Sequence, residues 1–379
     1  MAFVLSEEQI MLRDMAKQFF SEQVPVANLR KLRDDSSEDG FDRDVWKQIV
    51  ELGFAGILIP EEMGGTGFGP MGIGIVMQEA GRTLAASPLY STAVLGAGMI
   101  MAAGSENQKK ELLPQIAAGE LLLALAIDET NHHNPANIAM AAARDGDDFV
   151  LSGEKKLVID GHIADKLIVA TRTSGNAGDP KGISAFLIDA STPGVTITRT
   201  HMVDTRNAAN ISFDGVKVQS DALLGGADGA YPELENVLDI GRVCLSAEML
   251  GGIETVFDTT LTYLKERKQF GAIIGTFQAL QHRAAEMFCE VEICQSVVLD
   301  ALSALEERRN DIPRAASLAK ARLSDASRLI TNEGVQMHGG IGMTDAVDVG
   351  LFLKRARVQA QMLGDANFHS SRYADLGGY

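Results

Sequence analysis

The spacing of apolar residues changes twice along the chain, and this change limits the possible folds more than any other sequence feature. Residues 1–120 carry helical periodicity, which starts at a capping box, Ser6-Glu-Glu-Gln. Residues 121–230 carry short apolar runs separated by turn residues, a pattern typical of strands. Long helical segments return in residues 231–379. The sequence therefore predicts an α+β multidomain protein: an all-α N-terminal domain, a β-barrel middle domain and an α-helical bundle as C-terminal domain.

The net charge of the chain limits the kinds of molecule that it is expected to bind. Asp and Glu number 51 against 34 Lys and Arg, which gives a net charge of −17. Such a surface repels phosphate backbones and anionic lipid, so we expect neither nucleic acid nor a membrane surface as partner. The uncharged stretch Thr83 to Ser105 contains Pro88 and polar side chains, and we interpret it as a buried helix pair.

Cysteine usage and the chain start indicate the compartment. The three cysteines, Cys244, Cys289 and Cys294, form no even disulfide framework, and acidic residues at the start speak against a signal peptide. We therefore expect a reducing cytoplasm. The adjacent His132 and His133 lack a third ligand at suitable spacing, so no metal site is expected and a solvated loop is predicted there.

Two short motifs in the last third look suited to an anion that carries a flat base. One is Glu266–Gly271, ERKQFG, with Phe277 and Gln278 following; the other is Gln336–Gly342, QMHGGIG. An Arg near a Phe can hold a phosphate by a forked contact while the ring covers a base, and paired glycines let backbone N–H groups approach an anion. Together they suggest an adenine dinucleotide. Taken alone, each also fits a plain structural role, as a surface charge or a helix junction.

These motifs resemble the acyl-CoA dehydrogenase family, and the resemblance runs over the full length of the chain. It also includes the opening SEEQIMLRDMAKQF, ELGFAGILIPEEMGGTG at Glu51–Gly67 and SAFLIDASTPGV at Ser184–Val195. The resemblance implies the family fold and FAD bound across a subunit interface of a homotetramer or related assembly. It assigns the ADP half of FAD to Arg267, Gln269, Phe270, Gln278, Gln336, Gly339 and Gly340.

The resemblance also implies a reaction: α,β-dehydrogenation of an acyl-CoA thioester. A carboxylate takes the α-proton, a hydride leaves the β-carbon for the flavin, and an electron-acceptor flavoprotein takes the electrons. Arg242 matches an Arg that the family keeps beside one of its base positions, so we expect it to shape the acyl pocket.

The catalytic Glu of the family is missing at both of its usual positions. These fall 27 residues after the Gln of the glycine motif and 26 residues before the Arg of ERKQFG, and they are Leu363 and Gly241 here. Asp365 is the substitute candidate, because His369 lies four residues on and the two could hydrogen-bond on one helix face. Asp239 is the other option. Each also fits an ordinary surface or capping carboxylate.

The segments that match the flavin-ring contacts depart from the family as well. Leu125-Ala-Ile-Asp-Glu-Thr130 stands where the family has Tyr-Cys-Val-Thr-Glu-Pro, and Leu157-Val-Ile159 where it has Trp-Ile-Thr. Loss of a donor hydroxyl leaves a buried flavin acceptor unpaired, at a cost of about 1–3 kcal/mol. The ring half of the site is therefore expected to be impaired while the ADP half is intact.

This asymmetry resembles one subunit of the two-gene, heteromeric acyl-CoA dehydrogenases that act on steroid or other bulky acyl-CoA esters. The stretches QMLGDANFH and GRTLAASPL are similar to that branch. We therefore expect a subunit of a fatty acid or steroid side-chain degrading enzyme that pairs with a second acyl-CoA dehydrogenase subunit. A homotetramer that uses other residues, a non-catalytic structural subunit and a flavin monooxygenase-like member of the same fold remain open.

Overall fold

The computed structural model describes residues 5–379, which form two compact units. The helical unit consists of the chain up to Lys31, Pro70–Ala85 and Arg242–Tyr379, and the β unit consists of Leu32–Gly69 and Ala86–Gly241. The helices are α1 (Glu7–Gln23), α2 (Val26–Asp34), α3 (Arg43–Glu51), α4 (Gly69–Arg82), α5 (Ala97–Ala103), α6 (Glu106–Ala117), α7 (Tyr231–Glu266), α8 (Gln278–Glu306), α9 (Ile312–His338), α10 (Val349–Gln361) and α11 (Ala366–Gly377).

The β unit contains one mostly antiparallel sheet. Its strands are β1 (Leu123–Ala126), β2 (Ala141–Asp145), β3 (Asp148–Ile159), β4 (Lys166–Arg172), β5 (Ile183–Asp189), β6 (Val195–His201), β7 (Asn207–Val218) and β8 (Leu223–Leu224), in the order β6-β7-β3-β2-β4-β5-β8. Parallel pairing occurs where β1, and one residue of β2, lie against β4. Alternating burial along β7 and β3 places their apolar side chains in one core under the sheet.

Local sequence explains where several helices begin. Ser6 and Ser105 each accept the backbone N–H three residues on, and Gln9 and Gln108 return the contact to the cap residue. Such capping boxes satisfy N–H groups that the first helical turn leaves unpaired. The capping box predicted at Ser6 therefore forms.

The helical unit is organised around α9, which contacts α8, α10 and α11. The buried face of α9 consists largely of small residues, including Ala316, Ala319 and Ser327, which allow neighbouring helices to approach closely. One long charged side chain, Lys320, lies on the same buried face. It is part of the candidate site described below.

The predicted α+β fold, helical at both ends around a β-rich middle, is confirmed. The stretch predicted as a helix pair is instead one helical run, a π-helical segment at Leu89–Gly96 that continues into α5. Nearly all of its residues are buried, as expected. Between residues 5 and 379, no helix is long and apolar enough to cross a bilayer.

Candidate active site

The ERKQFG motif forms a two-residue hairpin at the end of α7. Gln269 pairs with Ala272, and Phe270 and Gly271 between them both have positive φ, +53° and +77°. This geometry is that of a type I′ turn, which glycine adopts without strain and which a bulky residue rarely adopts. The turn leaves the Phe270 ring 93% exposed and 6.3 Å from the Phe277 ring. Two aromatic faces are therefore presented to solvent beside Gln278, the first residue of α8.

The QMHGGIG motif ends α9. Gly339 has φ +64°, and a Cβ placed there or at Gly340 would meet no atom within 4 Å. Gln336, Gly339 and Gly340 are all exposed. The glycine pair therefore offers an open stretch of backbone to which a ligand could come close.

The two motifs are joined through Tyr263 and His338. Their rings stack with centroids 4.4 Å apart, and the Tyr263 hydroxyl donates to the His338 carbonyl oxygen at 3.2 Å. Arg267 follows Tyr263 by one helical turn and donates its backbone N–H to the Tyr263 carbonyl at 2.9 Å. Gly339 follows His338 directly. The contact between Tyr263 and His338 therefore holds the starts of the two candidate ADP-binding motifs next to each other.

The position of the missing base is a tight turn between α10 and α11. Leu363 is 7% exposed and has φ +52°, a left-handed conformation that is strained for a branched side chain. Gly364 follows at φ +105°, and a Cβ there would lie 2.4 Å from Phe368 Cδ1. Only glycine fits at this second position. The turn is therefore closely constrained around an apolar side chain.

Two basic groups hold the carbonyl oxygen of Leu363. His369 Nε2 lies 2.9 Å from it and Arg242 Nε lies 3.5 Å away. A carbonyl only accepts, so His369 carries its proton on Nε2. Arg242 is fully buried and stacks its guanidinium over the Phe368 ring at 5.8 Å.

A third basic group, Lys320, holds the next carbonyl of the turn. Its Nζ donates to the carbonyl oxygens of Gly364 at 2.9 Å and Ala360 at 3.2 Å, and to Ser324 Oγ at 3.2 Å. Complete burial lowers the pKa of this ammonium to about 7, although the Asp365 carboxylate opposes the shift. Lys320 was not predicted from the sequence, because a Lys among the small residues of a helix gives no signal until the packing is known.

Asp365 caps helix α11 in this arrangement. Its Oδ1 accepts the backbone N–H of Phe368 at 2.8 Å, which is an N-cap contact. His369, predicted to share a helix face with it, directs its ring nitrogens to Leu363 and Ser317. Asp365 therefore acts as a capping carboxylate, which is one of the two roles that the sequence leaves open for it.

The second base position, Gly241, lies in the β unit on α7. Its carbonyl oxygen accepts a hydrogen bond at 3.0 Å from the hydroxyl of Tyr90, which lies in the π-helical segment. Asp239, the other substitute candidate, is 2% exposed on the same helix.

The segments that match the family's flavin-ring contacts lie on β1, β3 and the loop after β1. A register shift in the pairing of β3 with β7 falls between Lys155 and Val158. Leu157 within it has φ +51°, is 37% exposed, and donates its backbone N–H to Asn210 Oδ1 at 3.1 Å. The bulge thus turns an apolar side chain outward at the place where the family has Trp.

The loop after β1 is built around two carboxylates. Asp128 Oδ2 lies 2.9 Å from His133 Nδ1, whose side chain is only 2% exposed, so the prediction of a solvated loop is wrong for His133. Glu129 accepts the backbone N–H groups of Ala139 and Met140, each at 2.9 Å, and Lys155 Nζ at 2.8 Å. Burial lowers the pKa of Lys155, and Glu129 counters the shift. Sequence spacing could not reveal the partners of Glu129, because they lie 10 to 26 residues away along the chain and only the fold brings them together.

Comparison with known proteins identifies the class. Models of the acyl-CoA dehydrogenase family match in three parts: the N-terminal domain at residues 6–120, the middle domain at 124–216 and the C-terminal domain at 228–375. The chain belongs to the acyl-CoA dehydrogenase family, whose members use FAD.

Particular relatives cover nearly the whole chain. A protein of Bacillus subtilis described as a probable acyl-CoA dehydrogenase, YngJ, is 32% identical, and the match covers 94% of each chain. A solved variant of the steroid ACAD Tcur3481-Tcur3483 is 31% identical, covers 98% of each chain and has a TM-score of 0.87. The ChsE4-ChsE5 complex of Mycobacterium tuberculosis is 25% identical over 100% of this chain and 99% of that one, with a TM-score of 0.90.

The described residues fit the ADP half of FAD. Exposed aromatic faces at Phe270 and Phe277, an exposed Arg267 and the open backbone at Gly339 and Gly340 are the donor and stacking groups that an adenine diphosphate needs. Within residues 5–379, no group of three His, Cys, Asp or Glu side chains is placed to hold a metal ion.

Proposed function

We propose that this chain is one subunit of a heteromeric, FAD-dependent acyl-CoA dehydrogenase, and that the proton-abstracting carboxylate comes from a partner subunit. One observation carries the proposal: a buried Leu363 occupies the turn in which the family places its Glu. Hydrogen bonds from His369, Arg242 and Lys320 still support the backbone of that turn.

The chemistry explains why this loss matters. The α-proton of a thioester is weakly acidic, and a positioned general base is worth roughly 10²–10⁴-fold in rate. An aliphatic side chain cannot accept that proton. In our proposal Arg242 shapes the acyl pocket of this chain without abstracting a proton.

The same proposal assigns the cofactor contacts. Arg267 and the N–H groups of Gly339 and Gly340 would bind the diphosphate, and Phe270 would cover the adenine; Gln269, Gln278 and Gln336 would add polar contacts. When bound, FAD accepts the hydride that leaves the β-carbon of the substrate. Asp128 stands at the position of a flavin-facing Thr in the family, so we expect the ring half of this chain to bind flavin weakly.

Substrate, partners and compartment follow from the resemblance and the relatives. The named relatives include a steroid ACAD and a two-component complex, which supports a bulky acyl-CoA thioester and a second acyl-CoA dehydrogenase subunit. An electron-acceptor flavoprotein would reoxidise the enzyme. The cysteines are free, which supports a reducing compartment, and we propose the cytoplasm.

The test is to express the chain alone and together with an acyl-CoA dehydrogenase encoded beside it. Flavin per chain is measured by visible absorbance, and anaerobic bleaching is followed with a panel of acyl-CoA thioesters that includes steroid side-chain esters. We expect no bleaching with the chain alone and bleaching with the pair.

Three other results would each contradict the proposal in a different way. A homomeric preparation with ordinary activity that Asp365→Asn abolishes would make Asp365 the base. Substrate hydroxylation that consumes oxygen would indicate a monooxygenase. If the protein folds but its ADP-binding residues hold no flavin, either in the chain alone or in the co-expressed pair, the chain is a structural subunit.

A further inference from the structure

The β unit has a cavity of about 220 Å³ that none of the proposed FAD or acyl-CoA residues lines. One wall is formed at the end of α2 by Leu32 and Arg33, and just after it by Ser36 and Ser37. The other wall is formed by the end of β6 and the loop that leads to β7, through Arg199–Met202, Thr205 and Arg206. At roughly 30 Å³ per water molecule, the volume corresponds to about seven waters.

The cavity is basic although the molecule is acidic. Arg33, Arg199, His201 and Arg206 line it, and no Asp or Glu is among its lining residues, whereas the whole chain has a net charge of −17. Two carboxylates lie close by: Asp34 at 2.8 Å from Arg33 and Asp204 at 4.0 Å from Arg206. Each of these carboxylates lies beside one Arg of the cavity.

The guanidinium of Arg199 is held in place by neutral acceptors. Its Nη1 donates to the carbonyl oxygens of Ser37 at 2.7 Å and Glu38 at 2.8 Å, and its Nη2 donates to Asn207 Oδ1 at 3.2 Å. Asn207 is itself fixed, because its Nδ2 donates to the Asp39 carbonyl at 2.6 Å. Neutral partners orient a guanidinium without cancelling its charge, so the group is prepared to attract an anion.

Hydroxyl donors and strained backbone complete both walls. Ser36 and Ser37 line one wall, and Thr200 and Thr205 line the other. Ser36 has φ +50° and Thr205 has φ +66°, which is an outlier for a β-branched residue. Such strain persists only where the surrounding structure imposes it, and it is concentrated at binding sites.

We propose that this cavity is a binding site for a phosphoryl group, presented either as free phosphate or as the end of a small phosphate ester. A phosphoryl group has three terminal oxygens, each able to accept several hydrogen bonds, and it matches a cavity that offers guanidinium, imidazole and hydroxyl donors together. A carboxylate has only two oxygens and would leave more of these donors unused. The proposal is independent of the function proposed above.

Calorimetric titration of the FAD-saturated protein with sodium phosphate, and separately with glycerol 3-phosphate, tests this site at constant ionic strength. The test variant is Arg33→Ala with Arg206→Gln, which removes two charges from the cavity. The matched control is Arg13→Ala, since Arg13 pairs with the neighbouring Asp14 at 3.0 Å just as Arg33 pairs with Asp34. Loss of one charged hydrogen bond, about 1.5–3 kcal/mol, corresponds to a roughly 10- to 100-fold weaker affinity.

We expect the double variant to bind at least about 10-fold more weakly and the control to bind as the wild type does. Tighter binding of the ester than of phosphate would identify an ester as the ligand, and equal binding would identify free phosphate. Equal affinity in wild type and double variant, or the same loss in the control, overturns the proposal. If the double variant does not fold, Arg33→Ala alone, whose side chain is 28% exposed, decides by the same criterion.

Discussion

At Leu363 a single side chain separates the present turn from one that could carry a base. We predict that Leu363→Glu gives the FAD-loaded protein acyl-CoA dehydrogenase activity, because it places a carboxylate at the position of the family's base. The backbone of the turn already has its constrained conformation, with φ +52° at this residue. A carboxylate at this position should raise the rate of flavin bleaching by acyl-CoA by roughly 10²–10⁴-fold over wild type. Stopped-flow absorbance under anaerobic conditions measures it.

The matched control is Leu363→Gln, which has the shape of Glu but cannot take up the proton. Its rate should stay at the wild-type level. If the Glu and Gln variants bleach flavin equally slowly, the turn does not present its side chain to substrate, and our assignment of the base position fails.

Lys320 should make stability depend on pH in a defined window. Its pKa is about 7 in the folded protein against an ordinary value of 10.5, so between these values the unfolded state binds more protons than the folded state. Stability therefore rises with pH above about 7, by up to about 1.4 kcal/mol per pH unit for one proton. Below pH 7 both states are protonated and the slope vanishes.

We predict that Lys320→Met removes this slope. Urea unfolding of wild type and variant at a series of pH values between 6 and 9 gives the difference in unfolding free energy, in which all other titrations cancel. A difference that stays constant across this range would show that Lys320 keeps its charge in the folded protein.

Among the structural elements, the hairpin at Lys268–Ile273 offers a test of cofactor binding. Gly271→Ala places a Cβ where no atom lies within 4 Å, so its effect is purely one of backbone strain at φ +77°. We expect a stability loss of about 1 kcal/mol and a clear fall in flavin retention, because the turn positions Phe270 and Arg267. Absorbance after gel filtration measures the retained flavin.

Gly146→Ala is the control for this prediction. Gly146 lies in the turn between β2 and β3, also has open space around it, and has φ +68°. It should lose comparable stability and keep its flavin. Equal flavin loss in both variants would mean that stability alone, and not the hairpin, governs retention.

The same elements show what the sequence can and cannot reveal. The helical and β regions and the capping box at Ser6 follow from periodicity and local residue type, and the ERKQFG and QMHGGIG motifs are contiguous, so all could be predicted. Lys320 and the pair of Asp128 with His133 could not, because their roles come from neighbours that only packing brings close. The domain boundaries and the site assignments stay predictions for the experiments above.

At the scale of the whole molecule, the chain has a net charge of −17, whereas the FAD that members of its family use carries a diphosphate. The site that we propose for this diphosphate therefore needs a local positive charge, which the exposed Arg267 beside the hairpin would supply. Away from such groups, the acidic surface disfavours non-specific binding of nucleic acid and anionic lipid.

If FAD bridges subunits, its retention must depend on protein concentration. We predict that diluting the flavin-loaded assembly at a fixed excess of FAD lowers the fraction of chains with bound flavin, because dissociation of the subunits separates the two halves of each site. Flavin fluorescence anisotropy across a dilution series measures this fraction. Concentration-independent binding would indicate that each chain holds FAD alone.

The hairpin that exposes Phe270 can form early in the synthesis of the chain. Its strands pair residues only three and five positions apart, so it can close as soon as the end of α7 has formed, long before distant parts of the chain meet. The hairpin would then already be folded when the nucleotide binds, and the nucleotide would not induce its conformation. Cofactor loading would be a late step, limited by supply of the cofactor and by encounter between chains, and a cell short of flavin would accumulate folded, empty protein.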